Sequence, residues 1–161
     1  MLKKNKITIV GSGYVGMSLA VLLAQHNDVV VLDIDENRVN KINNNQSAID
    51  DSMIHTFLIE KVLSLSATCN KKKAYQDADF VIIATPTDYH EDNNRFDTHT
   101  VESVVGDIIT IQPSTTIIIK STIPIGYTAS LKKLTNFSNI MFSPEFLREG
   151  NALHDNLYPS R

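Results

Sequence analysis

Ile7-Thr8-Ile9-Val10-Gly11-Ser12-Gly13-Tyr14-Val15-Gly16 decides the reading of this chain. A short β-branched run enters the pattern G-x-G-x-x-G, and an Ala-, Leu- and Met-rich stretch, Tyr14–Gln25, follows at once. A strand, a glycine turn and a helix in immediate succession give the pattern its physical meaning. Gly11 permits the tight turn, Gly13 lets backbone N–H groups approach a pyrophosphate, and Gly16 lets the helix lie close on the strand. The phosphate charge then sits at the positive end of the helix dipole. The second element is Asp33, 20 residues after Gly13 and at the end of the apolar run Val29–Leu32. A carboxylate there accepts hydrogen bonds from the adenosine ribose hydroxyls and repels a 2′-phosphate, which favours NAD over NADP. Arg38 and Lys41 are cations that work against this preference. As a helix N-cap for the segment beginning at Glu36, Asp35 is better placed than Asp33.

Outward from this motif, short apolar runs alternate with amphipathic stretches. Ile7–Val10, Val29–Leu32, Phe80–Ala84, Thr116–Ile119 and Asn139–Phe142 read as strands. Tyr14–Gln25, Glu36–Asn44, Ser52–Leu65, Thr100–Ile111 and Ile125–Leu134 read as helices, with Ile54, Phe57, Leu58 and Val62 on one inward face of the third. Pro86, Pro113, Pro124 and Pro144 fall at element boundaries, where a missing N–H is tolerated. Strands that are apolar throughout and separated by helix-length segments indicate a parallel sheet covered on both faces. The expected fold is a Rossmann-type, doubly wound α/β domain of about six parallel strands.

The bulk properties agree. A length of 161 residues suits one domain, and 42% hydrophobic with 20% charged residues is ordinary for a globular protein. The net charge of −3 gives no basic excess to suggest nucleic acid. The single Cys69 excludes an internal disulfide and a Cys-rich zinc site. It ends the short run Ala67–Cys69, expected to be a buried edge strand, and no base stands near it in sequence to make it a nucleophile. No signal-peptide pattern and no membrane-spanning run is found, so a cytoplasmic location is expected. His26, His55, His99 and His154 are isolated. His90-Glu91-Asp92 has no matching second cluster, and no metal is expected.

In open parallel sheets, ligands bind beyond the carboxyl ends of the strands. Three segments lie there: Thr85-Pro86-Thr87-Asp88, Ser121 to Gly126, and Ser143 to Gly150. Alone, each is a cap or a turn. Three at equivalent positions beside a dinucleotide motif point to a site. Ser143 suits a helix N-cap with Pro144 at the first helical position. That helix would place Glu145 and Glu149 on one face, with Arg148 in reach of Glu145. One carboxylate would serve as an acid/base or water-orienting group, and the other would hold the nicotinamide.

Taken together, G-S-G-Y-V-G (11–16), V-L-D-I-D-E-N-R-V (31–39), A-T-P-T (84–87), K-S-T-I-P-I-G (120–126), S-P-E-F-L-R-E-G (143–150) and N-L-Y-P-S-R (156–161) resemble the UDP-glucose/GDP-mannose dehydrogenase family. The resemblance covers nearly the whole chain, and Phe146-Leu147-Arg148-Glu149 with Tyr158-Pro159-Ser160-Arg161 tilts it towards UDP-glucose. It implies oxidation of a nucleotide-sugar C6 hydroxyl to a carboxylate, using two NAD per substrate and a covalent intermediate on a cysteine. By the same resemblance Gly11, Gly13, Tyr14, Val15, Gly16, Asp33, Arg38, Thr85, Pro86, Thr87, Ser121, Thr122 and Glu149 bind the cofactor. Glu145, Phe146, Leu147, Arg148 and Glu149 border the UDP-sugar, and Thr122 and Glu145 are the catalytic groups that hold or activate water. Gly150 stands where some members carry Ser, a difference taken as neutral. The family's cysteine, its lysine, its central helix and its UDP-binding C-terminal domain are expected beyond Arg161. Residues 1–161 are accordingly read as the NAD-binding domain, which binds NAD without turning over. The parent is expected to be a homodimer, with apolar surface near Leu153 and Leu157 left uncovered without the central helix. Other nucleotide-sugar dehydrogenases (for GDP-mannose or a UDP-N-acetylhexosamine) and a stand-alone NAD(H)-binding module are the alternatives. A Rossmann-type methyltransferase is a weaker one, since it has no need of the three strand-end segments.

Overall fold

The computed structural model describes residues 4–87, 89–90 and 95–159. In chain order its elements are β1 (Lys6–Val10), α1 (Tyr14–Leu23), β2 (Asp28–Leu32), α2 (Glu36–Asn43), α3 (Ser52–Glu60), β3 (Leu65–Thr68), α4 (Lys71–Tyr75) and β4 (Phe80–Ile83). There follow β5 (Tyr89–His90), β6 (Arg95–Phe96), α5 (His99–Ile111), β7 (Thr116–Ile119), α6 (Tyr127–Thr135), β8 (Ile140–Phe142) and α7 (Ala152–Leu157). β1 is rich in β-branched residues, which suit a pleated, fully covered strand. It takes the middle of a six-stranded sheet of order β3-β2-β1-β4-β7-β8, parallel throughout. Ile9 registers with Val31 on one side and Ile82 on the other. β5 and β6 form a separate antiparallel pair.

Side-chain alternation along the strands builds two cores. Ile7, Ile9, Val29, Val31 and Ile82 pack with Met17, Ala20 and Val21 of α1 and with residues of α2, α3 and α7. Val10, Leu32, Val81, Ile83, Ile117 and Ile119 pack on the opposite face with residues of α4, α5 and α6. The expected doubly wound architecture is thereby found. Strand order in the sheet reverses at β1, with β2 and β3 to one side and β4, β7 and β8 to the other. That reversal opens a crevice over the carboxyl ends of β1 and β4.

Four local expectations are corrected. The helix read over Ser52–Leu65 stops at Glu60, and Val62 is exposed rather than inward. The sheet claims the residues beyond: Ser64 donates its N–H to Ala24 O at 2.9 Å and accepts from Val29 N at 2.9 Å, which delivers Leu65 into β3. Cys69 follows the edge strand β3 but is exposed. Its thiol is pushed up from its ordinary value by partial desolvation and by the carboxylates of Glu36, Asp33 and Asp35, so it is a poor nucleophile. Leu153 is fully buried and Leu157 partly buried in the first core, and the exposed large apolar side chains include Ile34, Val62, Ile125 and Leu134, with Met141, Phe142 and Phe146 along and after the edge strand β8 and Tyr158 next to Leu157. Gly150 has φ +78°, a left-handed conformation that a Ser would adopt with strain, so glycine is not neutral there. No helix of the described residues is long and apolar enough to cross a membrane.

Asp51 joins distant parts of the first core. Its buried carboxylate caps α3, accepting from Met53 N and Ile54 N at 3.1 Å each, and its second oxygen accepts from Leu153 N at 3.4 Å in the first turn of α7. One side chain thus satisfies donors on two helices, the second of them 102 residues from Asp51 in sequence. Asp51→Ala is expected to lower the unfolding free energy by about 2–4 kcal/mol, with Asp51→Asn recovering part of it. Urea denaturation followed by circular dichroism measures both.

Candidate functional site

The turn after β1 is fixed by two close approaches. Gly11 has φ +99°, donates its N–H to Leu32 O at 2.8 Å, and has no room for a side chain: a Cβ would stand 2.7 Å from Ala84 O. A Cβ on Gly16 would stand 1.9 Å from Gly11 O, so only glycine lets α1 descend this closely onto β1. Gly13 differs, since nothing lies within 4 Å of its would-be Cβ. Gly13 also lines the cleft described below. Asp35, Asp51 and Asn70 cap α2, α3 and α4 with their side chains, whereas the first turn of α1 has neither a side-chain cap nor an acidic residue. Its N–H groups remain available to an anion.

Asp33 closes the other side of this turn. Its Oδ2 accepts from Ser12 N at 2.8 Å and Ser12 Oγ at 2.5 Å, and its Oδ1 accepts from Asp35 N at 3.0 Å. Asp35 caps α2 through Asn37 N, as its position implied. Arg38 donates from Nη1 to Ser12 O at 3.2 Å. Ser12 is therefore a hub joining the glycine turn to Asp33 and Arg38. Sequence reasoning passed over it because it occupies a free position of the motif.

A cleft of about 440 Å³ opens over the carboxyl ends of the strands. Gly13, Tyr14 and Val15 line it from the first turn, and Ala84, Thr85, Pro86 and Thr87 from the end of β4. Lys120, Ser121 and Thr122 come from the end of β7, and Glu145, Leu147 and Glu149 from the segment after β8. The three strand-end segments thus meet at one place. Gly11, Gly16, Asp33 and Arg38 are not among the residues that line it. Phe146 is exposed beside the cleft. Ser121 is buried and its hydroxyl donates to Thr85 O at 2.7 Å, so it braces the ends of β4 and β7 together. Asp88 and the chelate suggested by Glu91 and Asp92 lie outside the described residues, as do Ser160 and Arg161. Among the described residues no cluster of three His, Cys, Asp or Glu could hold a metal.

The helix expected over Ser143–Gly150 is absent, and with it the shared helical face of Glu145 and Glu149. Ser143 continues the strand pairing, donating its N–H to Ile119 O at 3.0 Å, and the left-handed Gly150 ends the segment in a turn. Arg148 does not pair with Glu145. Its Nε and Nη2 bind the two oxygens of Asp155 at 3.1 and 2.6 Å, tying the segment to α7. Glu145 pairs instead with Lys120, its Oε2 standing 2.9 Å from Nζ. Lys120 is a site residue that sequence reasoning missed. Its signal was its place as the first residue beyond β7, where the apolar run Thr116–Ile119 gives way to a cation.

The profile of the UDP-glucose/GDP-mannose dehydrogenase family, NAD binding domain, matches residues 5–161. The chain is 55% identical to a UDP-glucose 6-dehydrogenase of Campylobacter jejuni and 52% identical to one of Streptococcus pneumoniae, over 97% of its own length in both cases. It spans about two fifths (40%) of the length of these relatives. Among solved structures it resembles a GDP-mannose dehydrogenase from Pseudomonas aeruginosa in a ternary complex, with TM-score 0.80 and 26% identity over 95% of this chain and 39% of that one. A UDP-glucose dehydrogenase from Pyrobaculum islandicum gives TM-score 0.82 and 25% identity over 98% of this chain and 39% of that one.

Two outcomes are expected from this geometry. Gly16→Ala forces α1 away from β1 and should destabilise the chain by about 3 kcal/mol or more, which thermal denaturation reads. The Arg148 hydrogen bonds hold the Asp155 carboxyl far below its ordinary value of 3.8. As pH falls below about 4 the unfolded chain takes up this proton first. The stabilisation is therefore complete above that value and is lost progressively below it. Acid titration of stability should show a shallower loss in Asp155→Asn than in the wild type.

Proposed function

The chain belongs to the UDP-glucose/GDP-mannose dehydrogenase family, as its NAD binding domain, and from that premise we propose that the whole protein oxidises UDP-glucose to UDP-glucuronate, with residues 1–161 as its cofactor half. The observation that carries this reading is the meeting of the uncapped first turn of α1 with the three strand-end segments in one cleft. Converting a primary alcohol to a carboxylate removes four electrons as two hydrides and adds one oxygen from water. NAD⁺, when bound, supplies the hydride acceptor.

The remaining work of this half belongs to its own residues. The N–H groups at the start of α1 receive the pyrophosphate, with Gly11, Gly13 and Gly16 making room. Asp33 accepts from a ribose hydroxyl on the lone pair of Oδ1 that Ser12 and Asp35 leave free, and Arg38 borders the adenosine. Tyr14, Val15, Thr85, Pro86, Thr87, Ser121, Thr122 and Glu149 line the nicotinamide arm. Thr122 and Glu145 hold the attacking water. Glu145, Phe146, Leu147, Arg148 and Glu149 border the sugar nucleotide, Arg148 through its stem and backbone because Asp155 holds its guanidinium.

UDP-glucose is preferred over GDP-mannose or a UDP-N-acetylhexosamine because the relatives at 55% and 52% identity are UDP-glucose 6-dehydrogenases. A homodimeric parent and a cytoplasmic location go with this reading. NAD⁺ titrated into the chain by calorimetry is expected to bind one equivalent, and a folded sample that takes up none would sink the reading. Asp33→Asn should weaken NAD⁺ about tenfold or more and narrow its advantage over NADP⁺. The 161-residue chain alone is expected to form no NADH from UDP-glucose. An absorbance rise at the NADH band would contradict the assignment of this span to the cofactor half.

A further inference from the structure

The Lys120–Glu145 pair is built unlike the other Lys and Arg ion pairs among the described residues. Lys4–Asp28, Arg38–Asp35 and Lys71–Asp107 each have at least one partner side chain that is two-fifths or more exposed, whereas the side chains of Lys120 and Glu145 are only 12% and 15% exposed. Both also line the cleft. The ammonium has a second acceptor, Ser143 Oγ at 3.2 Å, and the second carboxylate oxygen, Oε1, accepts from Phe146 N at 3.1 Å. Every part of the arrangement is therefore fixed by another. The strand β7 sets the root of Lys120, Ser143 at the end of β8 steers its ammonium, and ammonium and amide each hold one carboxylate oxygen.

From this geometry we propose that Lys120 is the positioning residue of Glu145. It fixes the orientation of that carboxylate in the cleft and balances its charge there. The inference rests on the reading of Glu145 as the group that holds water at the site. A carboxylate has about four lone-pair sites, and two are taken by Lys120 and Phe146. The remaining two accept from a water or a ligand hydroxyl in a fixed direction. Charge balance has a second consequence. With Lys120 present the cleft near Glu145 carries no net charge from this pair, so it does not discriminate strongly between the cationic nicotinamide of NAD⁺ and the neutral ring of NADH. Without Lys120 an uncompensated carboxylate attracts the cation.

The test uses the full chain with Lys120→Met, Lys120→Arg, Ser143→Ala and the double variant Lys120→Met/Glu145→Gln. Two readouts are taken. The ¹⁵N–¹H resonance of the Phe146 amide reports the carboxylate's orientation without any ligand. The ratio of the NADH to the NAD⁺ dissociation constant reports charge balance, which a merely loosened cleft would not move because both forms would weaken together. In Lys120→Met the Phe146 resonance should shift, and the ratio should rise about fivefold or more. Lys120→Arg should restore most of both, and the double variant should return the ratio towards that of the wild type. Should Lys120→Met not fold, Ser143→Ala decides the matter, since releasing the ammonium's anchor should move the Phe146 resonance with no change in net charge. An unmoved Phe146 resonance in folded Lys120→Met or in Ser143→Ala overturns the proposal, as does a ratio unchanged in folded Lys120→Met. If the wild-type chain binds neither nucleotide, the dinucleotide reading fails instead, and the Phe146 resonance alone passes judgement on Lys120.

Discussion

The contact on which the molecule depends is that between Gly16 and the carbonyl of Gly11. A side chain at 16 would lie 1.9 Å from that oxygen, so the first helix rests on the turn backbone itself. This approach brings α1 down onto the middle strand with its first turn open to the cleft. Met17, Ala20 and Val21 are then completely buried beneath it. The same turn is clamped from the second strand, through Gly11 N to Leu32 O, and from the fourth, where Ala84 N reaches Val10 O at 2.9 Å. Three adjacent parallel strands are thus joined at their carboxyl ends where β1 passes into this turn. The crevice follows from this, because strand order reverses at β1 and the next crossover must pass to the other side.

Legibility in the sequence followed the range of the forces involved. The glycine turn, the apolar strands and the position of Asp33 are local features with fixed spacing, and the structure holds them where the spacing put them. The three strand-end segments were legible as candidates because a parallel sheet gathers its carboxyl ends on one side. Their conformation was not. Ser143-Pro144 is a good helix start by local preference, yet Ser143 is drawn into pairing with β7 and Glu145 into contact with Lys120, and both partners are about twenty residues away or more. Ser52–Leu65 failed in the same way. Its apolar spacing runs through Val62, but backbone bonds from Ala24 and Val29 to Ser64 stop the helix short of that point. Pairings of this kind have no signature in local periodicity, so local reading assigned Arg148 to Glu145, three residues off, rather than to Asp155.

The two ends of the cleft region are prepared by different means. Around Asp33, the carboxylate is held by two donors from Ser12 and one from the backbone of Asp35, and Arg38 bears on the same loop through Ser12 O. Position is set there by hydrogen bonds between the turn after β1 and the segment that follows β2, at a partly open surface. At the other end, position is set by an ion pair largely withdrawn from water, between elements that meet only in the folded chain.

That difference bears on why Lys120 and Glu145 are charged at all. Removing two charges from water costs several kcal/mol per ion, and their attraction commonly does no better than offset it. An apolar pair of similar volume would pack at the ends of β7 and β8 with no such cost, and the neighbouring Ile119 and Ile140 are already fully or almost fully buried. Stability therefore gives no reason for the pair. A reason exists if the cleft needs a carboxylate that is fixed in direction and yet electrically balanced. Only a cation anchored by its own second acceptor can provide both, and Ser143 Oγ gives Lys120 that anchor.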